Sequence, residues 1–160
     1  MKILTFLQIL ALQAGAAQAD FRLSDLHGNW NGRGNYVQGA ISGTLRCRLV
    51  IGAEDPAVHI TGRCASAEAG EPVDFKLVPQ ADGSVRSEGG GRLGDENSAV
   101  DRVEGYLAAN GITLHGSVGG EAVVLQFLIG EDGGLHFAIL RTIRTRKEGF
   151  SVDLTRRDGG

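Results

Sequence analysis

Two cysteines and four histidines are the residues of this 160-residue chain best suited to chemistry. Cys47 and Cys64 are either two buried free thiols or one structural disulfide, and their context favours the bridge. His27, His59, His115 and His136 are scattered, with none of the close spacings of a metal or nucleophile motif. Gly-x-Ser-x-Gly, His-Glu-x-x-His and paired Cys-x-x-Cys do not occur. The glycine-rich stretch 89–98 lacks a following Lys-Ser/Thr and a helix, which excludes a phosphate-binding loop. A loop at a rim is its plain reading and a lid its functional one. With no nucleophile–base pair or metal cluster to place, the sequence predicts no catalytic residue, no cofactor and no enzyme.

The elements that position these residues begin with Leu45 to Ser66. Leu45, Cys47, Leu49 and Ile51 alternate with Arg46, Arg48 and Val50, the period of a strand buried on one face. Val58, Ile60, Gly62 and Cys64 alternate likewise with His59, Thr61 and Arg63. A turn about Glu54-Asp55-Pro56-Ala57 sets Ile51 opposite Ile60, Leu49 opposite Gly62 and Cys47 opposite Cys64. Both apolar rows then share one face. Directly opposed Cβ atoms lie about 4.5–5.5 Å apart, which puts a cross-strand disulfide within reach.

The rest of the chain also reads as strands. Glycine supplies 25 of 160 residues, about twice its usual share, and no stretch beyond residue 19 sustains a 3.6-residue period. Phe21 to Leu26 is expected to form a turn of helix or a plug. Trp30, Gly32, Gly34 and Tyr36 share one strand face, with the only tryptophan expected in the floor of the core. Val73, Phe75 and Leu77 share another, and Val85 is the one apolar residue of a short strand at 84–88. Asn110-Gly111 is a strong hairpin signal that would pair Leu107 with Leu114, Gly105 with Gly116 and Val103 with Val118. Gly119-Gly120 then pairs Ile112 with Phe127 and Leu114 with Leu125. The loop 130–134 sets Ile129 opposite Leu135 and Phe127 opposite Phe137. A last turn over 146–149 brings Ile143 near Val152. Successive hairpins with a continuous apolar face and no helix to cover it call for closure. The expected fold is all-β, a single antiparallel up-and-down β-barrel of eight to ten strands with one cross-strand disulfide, the Trp30 strand sealing against residues 150–156. A two-sheet sandwich is the alternative.

Residues 1–19 read as a signal peptide: Lys2, the apolar run Ile3 to Leu12, and Ala17-Gln18-Ala19 as the cleavage site. The run is too short to span a membrane. Residues 20–160 would then be the barrel domain, in the periplasm or outside the cell. Acidic residues outnumber basic ones, 19 to 16, which argues against nucleic acid as a general partner.

Gly28-x-Trp30 resembles the Gly-x-Trp signature on the first strand of lipocalins and their calycin relatives, and Trp30-x-Gly32-x-Gly34 is similar to the first strand of nitrobindin-type haem barrels. The resemblance implies a closed antiparallel barrel with an internal ligand cavity. It also implies a late arginine over the tryptophan, for which Arg141 is the candidate. The late strand carrying His136 resembles the one that bears the haem-ligating histidine of nitrobindin-type proteins, but strand parity turns His136 outward. Small bacterial metalloprotease inhibitors also combine an early Gly-x-Trp with one disulfide in a barrel, and there the N-terminal segment, here Asp20 to Leu26, would inhibit.

The leading expectation is therefore a periplasmic or secreted non-enzymatic barrel that binds a small apolar ligand in a lumen lined by Trp30, Tyr36, Leu49, Ile60, Phe75, Leu107, Leu114, Leu125 and Phe137. Val124, Leu128 and Leu140 point out of the barrel and form a patch for a homodimer, a protein partner or the segment 21–26. Arg141, Arg144, Arg146 and Lys147 read as a solvated hairpin tip or as a contact for an acidic partner.

Overall fold

The computed structural model describes residues 21–67, 70–88, 103–118 and 120–157. The expected leader, residues 1–19, and the stretch 89–98 lie outside the described residues. Alternating apolar residues build ten strands: β1 (Gly28–Gln38), β2 (Ile41–Glu54), β3 (Ala57–Ala65), β4 (Gly70–Pro79), β5 (Ser84–Glu88), β6 (Glu104–Ala108), β7 (Gly111–Val118), β8 (Glu121–Ile129), β9 (Leu135–Ile143) and β10 (Arg146–Arg157). Each strand pairs with its neighbours in sequence, and β1 also pairs with β10, so the sheet closes into one antiparallel up-and-down barrel. Closure rules out the sandwich and leaves no open edge.

The stapled hairpin has the register its alternation dictates: Ile51 opposite Ile60, Leu49 opposite Gly62, Cys47 opposite Cys64. The disulfide joins Cys47 and Cys64 across a Cα separation of 4.1 Å. Both cysteines are buried, so the bridge lies on the inner wall. Such a bond belongs to an oxidising compartment rather than the cytosol. Among the described residues no helix is long and apolar enough to cross a membrane.

Two registers differ from the sequence expectation by an even number of residues. In β6–β7 the chain turns on Ala109-Asn110, pairing Leu107 with Ile112 and Gly105 with Leu114. Gly111 serves a close approach rather than the turn: a Cβ there would run into the Phe127 carbonyl oxygen of β8. Leu107 then lies beyond the last residue that pairs with β5. Among the described residues no strand covers it there, and it is 40% exposed. In β9–β10, Ile143 pairs with Arg146 and Val152 with Phe137, because the turn is only two residues long. Ile112–Phe127, Leu114–Leu125, Ile129–Leu135 and Phe127–Phe137 pair as alternation requires.

The inward rows of every strand except β6 merge into one core. Four phenylalanines cross it. Phe75 of β4 lies 5.9 Å from Phe127 of β8, ring centre to ring centre. Phe127 stacks on Phe137 at 4.8 Å, and Phe137 meets Phe150 edge-on at 5.5 Å. β4 and β8 are four strands apart, so the first contact spans the lumen. The waist of the barrel is therefore filled by its own rings, in offset and tilted geometries that aromatic pairs favour.

Candidate functional site

Strand direction gives the barrel two unlike ends. One end carries the short turns 55–56, 81–82, 109–110 and 131–134 together with the N-terminal 3-10 turn Leu23–Leu26. Leu23 and Leu26 are buried in the common core together with Phe21. The segment is thus a plug, not a cover for Val124, Leu128 and Leu140, and its apolar side chains are committed to the barrel rather than free to enter another protein's cleft. Trp30 fastens the plug: its indole Nε1 donates to the Leu26 carbonyl at 2.8 Å. Arg156 lies opposite Trp30 in the β1–β10 register. Its guanidinium sits 4.7 Å from the centre of the indole, and its Nη2 donates to the Asp25 carbonyl at 2.7 Å. Arg156, not Arg141, is therefore the arginine over the tryptophan; Arg141 sits at the far end of β9.

At the opposite end β1 turns into β2 over 39–40 and β9 into β10 over 144–145. Several of its inward side chains are polar and only partly buried. Tyr36 packs on the edge of the core, opposite Gly43. Arg141 lies between two carboxylates, 3.6 Å from Glu121 and 3.6 Å from Glu148. Glu148 also accepts the Gly39 N–H at 3.0 Å. At 3.6 Å the arginine is paired by charge rather than by tight hydrogen bonds.

Of the expected lining, Trp30, Leu49, Ile60, Phe75, Leu114, Leu125 and Phe137 are all buried and inward. They meet as a packed core, with Tyr36 at the mouth and Leu107 outside. Alternation had marked which face each residue occupies; Glu121 and Glu148 went unnoticed because nothing in their local pattern sets them apart. Arg156 was detectable once β10 was written opposite β1.

His59, His115 and His136 do not enter the lumen. His136 is on the outer wall, its Nδ1 2.7 Å from Asp153. His59 bridges Glu54 at 3.1 Å and Asp74 at 2.7 Å on the outer face of β2–β4. Beside it, Lys76 bonds Glu54. That hydrogen bond holds the Glu54 carboxyl below its ordinary pKa and the Lys76 ammonium above its own. Val124 and Leu140 face each other across β8–β9 on the outside, with Leu128 further along β8, each half-buried. Arg144, Arg146 and Lys147 are exposed at the hairpin tip.

No protein-family model matches the chain, and no curated protein does. Among solved structures the chain is similar to the S-type phycobiliprotein lyase CPES from Guillardia theta. The two share 10% identity over 86% of this chain and 92% of that one, with a TM-score of 0.53. The likeness is one of fold alone.

Proposed function

We propose that this protein is a periplasmic or secreted, non-enzymatic barrel that holds a small apolar ligand at its open end. The observation that carries the reading is the asymmetry of the lumen. One end is plugged by Phe21, Leu23 and Leu26, and the waist is crossed by phenylalanine rings, whereas Tyr36, Glu121, Arg141 and Glu148 ring an end with partly exposed inward groups. The ligand's apolar body would rest on Tyr36 and the upper core. The leader-like residues 1–19 and the disulfide support the location. The barrel neighbour is compatible with such a role. The haem reading loses its candidate ligand, since His136 faces away from the lumen and engages Asp153.

Displacement of a fluorescent fatty acid from the folded, oxidised protein tests the proposal, with haemin as a second competitor. Saturable binding of the fatty acid, weakened by Tyr36→Ala, is expected. A folded protein that binds neither compound sinks it. Val124, Leu128 and Leu140 are the surface we assign to a second copy or a protein partner, because three aliphatic side chains share two adjacent outer strands. Sedimentation of wild type against Leu140→Arg tests that assignment, and identical monomers refute it.

A further inference from the structure

The outer wall of β1–β3 carries four arginines in two opposed pairs. Arg33 of β1 lies directly across from Arg46 of β2, and Arg48 of β2 directly across from Arg63 of β3. All four are exposed. Like charges directly opposite each other weaken a sheet, so the arrangement works against the fold unless something offsets it. Among the described residues only Arg33 has a carboxylate across from it, Asp153 of β10. None of the four makes an ion pair or side-chain hydrogen bond among the described residues. The nearest acids are engaged elsewhere: Asp153, across from Arg33, bonds His136, and Asp74 on β4 bonds His59. The cluster sits on a protein whose overall charge is negative, so it is a local feature and not a consequence of composition.

The wall is concave beside this cluster. A depression of about 670 Å³ is lined by Arg33 and Arg46 together with Asn35, Thr44 and Ala65. Asn35 and Thr44 are themselves opposed across β1–β2, one step along from the Arg33–Arg46 pair. The depression thus offers two guanidiniums, an amide and a hydroxyl within one hollow, with Arg48 and Arg63 adjoining. Guanidiniums grip oxyanions with paired N–H groups. Amide and hydroxyl groups alternate donor and acceptor, as sugar hydroxyls require. A hollow of this size accepts a compact ligand, whereas a flat lipid surface would leave it empty.

We propose that this outer hollow is a binding site for a sugar carrying several anionic groups, with Arg33 and Arg46 holding its oxyanions, Asn35 and Thr44 its hydroxyls, and Arg48 and Arg63 extending the contact. The hollow lies on the outer face of β1–β2 and is bordered by Ser66 and Ala67, which follow β3 at the open end; it does not depend on the reading given to the lumen.

Titration of the folded, oxidised protein with sucrose octasulfate tests this, with pyrophosphate and phosphatidylglycerol vesicles as comparison probes. Saturable binding that falls at least tenfold between 50 and 300 mM salt is expected, on the order of what several screened ion pairs lose. Arg33→Gln and Arg46→Gln should each weaken it about tenfold, while Arg144→Gln at the hairpin tip leaves it unchanged. The melting temperature in low salt supplies an independent check. Arg46→Gln should not lower it, since the substitution relieves a like-charge pair; a lower melting temperature would instead assign Arg46 a structural role and overturn the proposal. Absence of binding overturns it, as does binding that survives both substitutions. Equal affinity for pyrophosphate removes the sugar from the proposal, and binding to vesicles alone replaces the hollow with a membrane surface; either result refutes it as stated.

Discussion

Replacing Phe127 by alanine tests whether the waist of the barrel is solid. The ring is fully buried, stacked on Phe137 at 4.8 Å and reaching Phe75 across the lumen at 5.9 Å. Truncating a buried phenylalanine costs about 3–5 kcal/mol through lost transfer energy and the cavity left behind. Aromatic pairing contributes about 0.5–1.5 kcal/mol beyond area, which places the expected loss near the top of that range. For a domain of this size that corresponds to a fall in Tm of roughly 10–15 °C. Urea unfolding followed by the fluorescence of Trp30, the only tryptophan, measures the loss directly, and the denaturant slope should stay constant. The companion variant Phe75→Ala and the double variant close a cycle. Because β4 and β8 are not neighbours, a coupling of about 1 kcal/mol can arise only through the lumen. A loss below about 1 kcal/mol for Phe127→Ala, or no coupling between the two rings, would mean that the interior is hollow at this level and that the plugged-and-packed description is mistaken.

Other outcomes follow from the same geometry. Replacing both Cys47 and Cys64 by alanine opens a link spanning 17 residues and should cost about 3 kcal/mol in urea unfolding; a change under 1 kcal/mol would show the bond to be dispensable. Arg156→Ala removes the cation from the Trp30 face and the hydrogen bond to Asp25, so stability should fall by about 1–2 kcal/mol with a shift in Trp30 emission, and an unmoved spectrum contradicts the packing. Glu54 is held below its ordinary pKa and Lys76 above its own, chiefly by their mutual hydrogen bond. The Glu54 contribution is complete above the ordinary carboxylate pKa and fades as pH falls through its lowered folded value. The Lys76 contribution is complete below the ordinary lysine pKa and fades as pH rises through its raised one. Glu54→Gln should flatten both limbs of the Tm–pH profile, and parallel profiles would refute the pairing. Arg144 occupies φ 55 in the two-residue β9–β10 turn; Arg144→Gly should raise stability by up to about 1 kcal/mol, and a loss in calorimetry would show the side chain to matter more than the backbone.

The sequence disclosed faces better than neighbours, and the reason is geometric. Side chains alternate with a period of two, so a register slip of two or six residues preserves every inward row. That is why Leu114, Leu125 and Phe137 are inward as expected although the β6–β7 and β9–β10 turns fall elsewhere. Leu107 failed for the complementary reason: it keeps its face but outruns the strand that would cover it. Asn110-Gly111 misled because a glycine can serve either a turn or a close approach, and Gly111 does the second. The plug was ambiguous since six residues with three apolar side chains fit equally well into an opening or onto a patch. Arg156 was obscured by its distance of 126 positions from Trp30; only the closing pair makes them neighbours.

That closing pair has a consequence for how the molecule comes into being. β1 pairs along its length with β10, and an alanine Cβ at Gly32 or Gly34 would collide with the β10 backbone. The first strand thus has to keep one of its two hydrogen-bonding margins vacant until the last strand exists. A chain made from its N-terminus cannot zip this margin on the ribosome, and contacts between such remote segments form slowly. An unfinished cylinder of this kind stays pliable until its last strand is made.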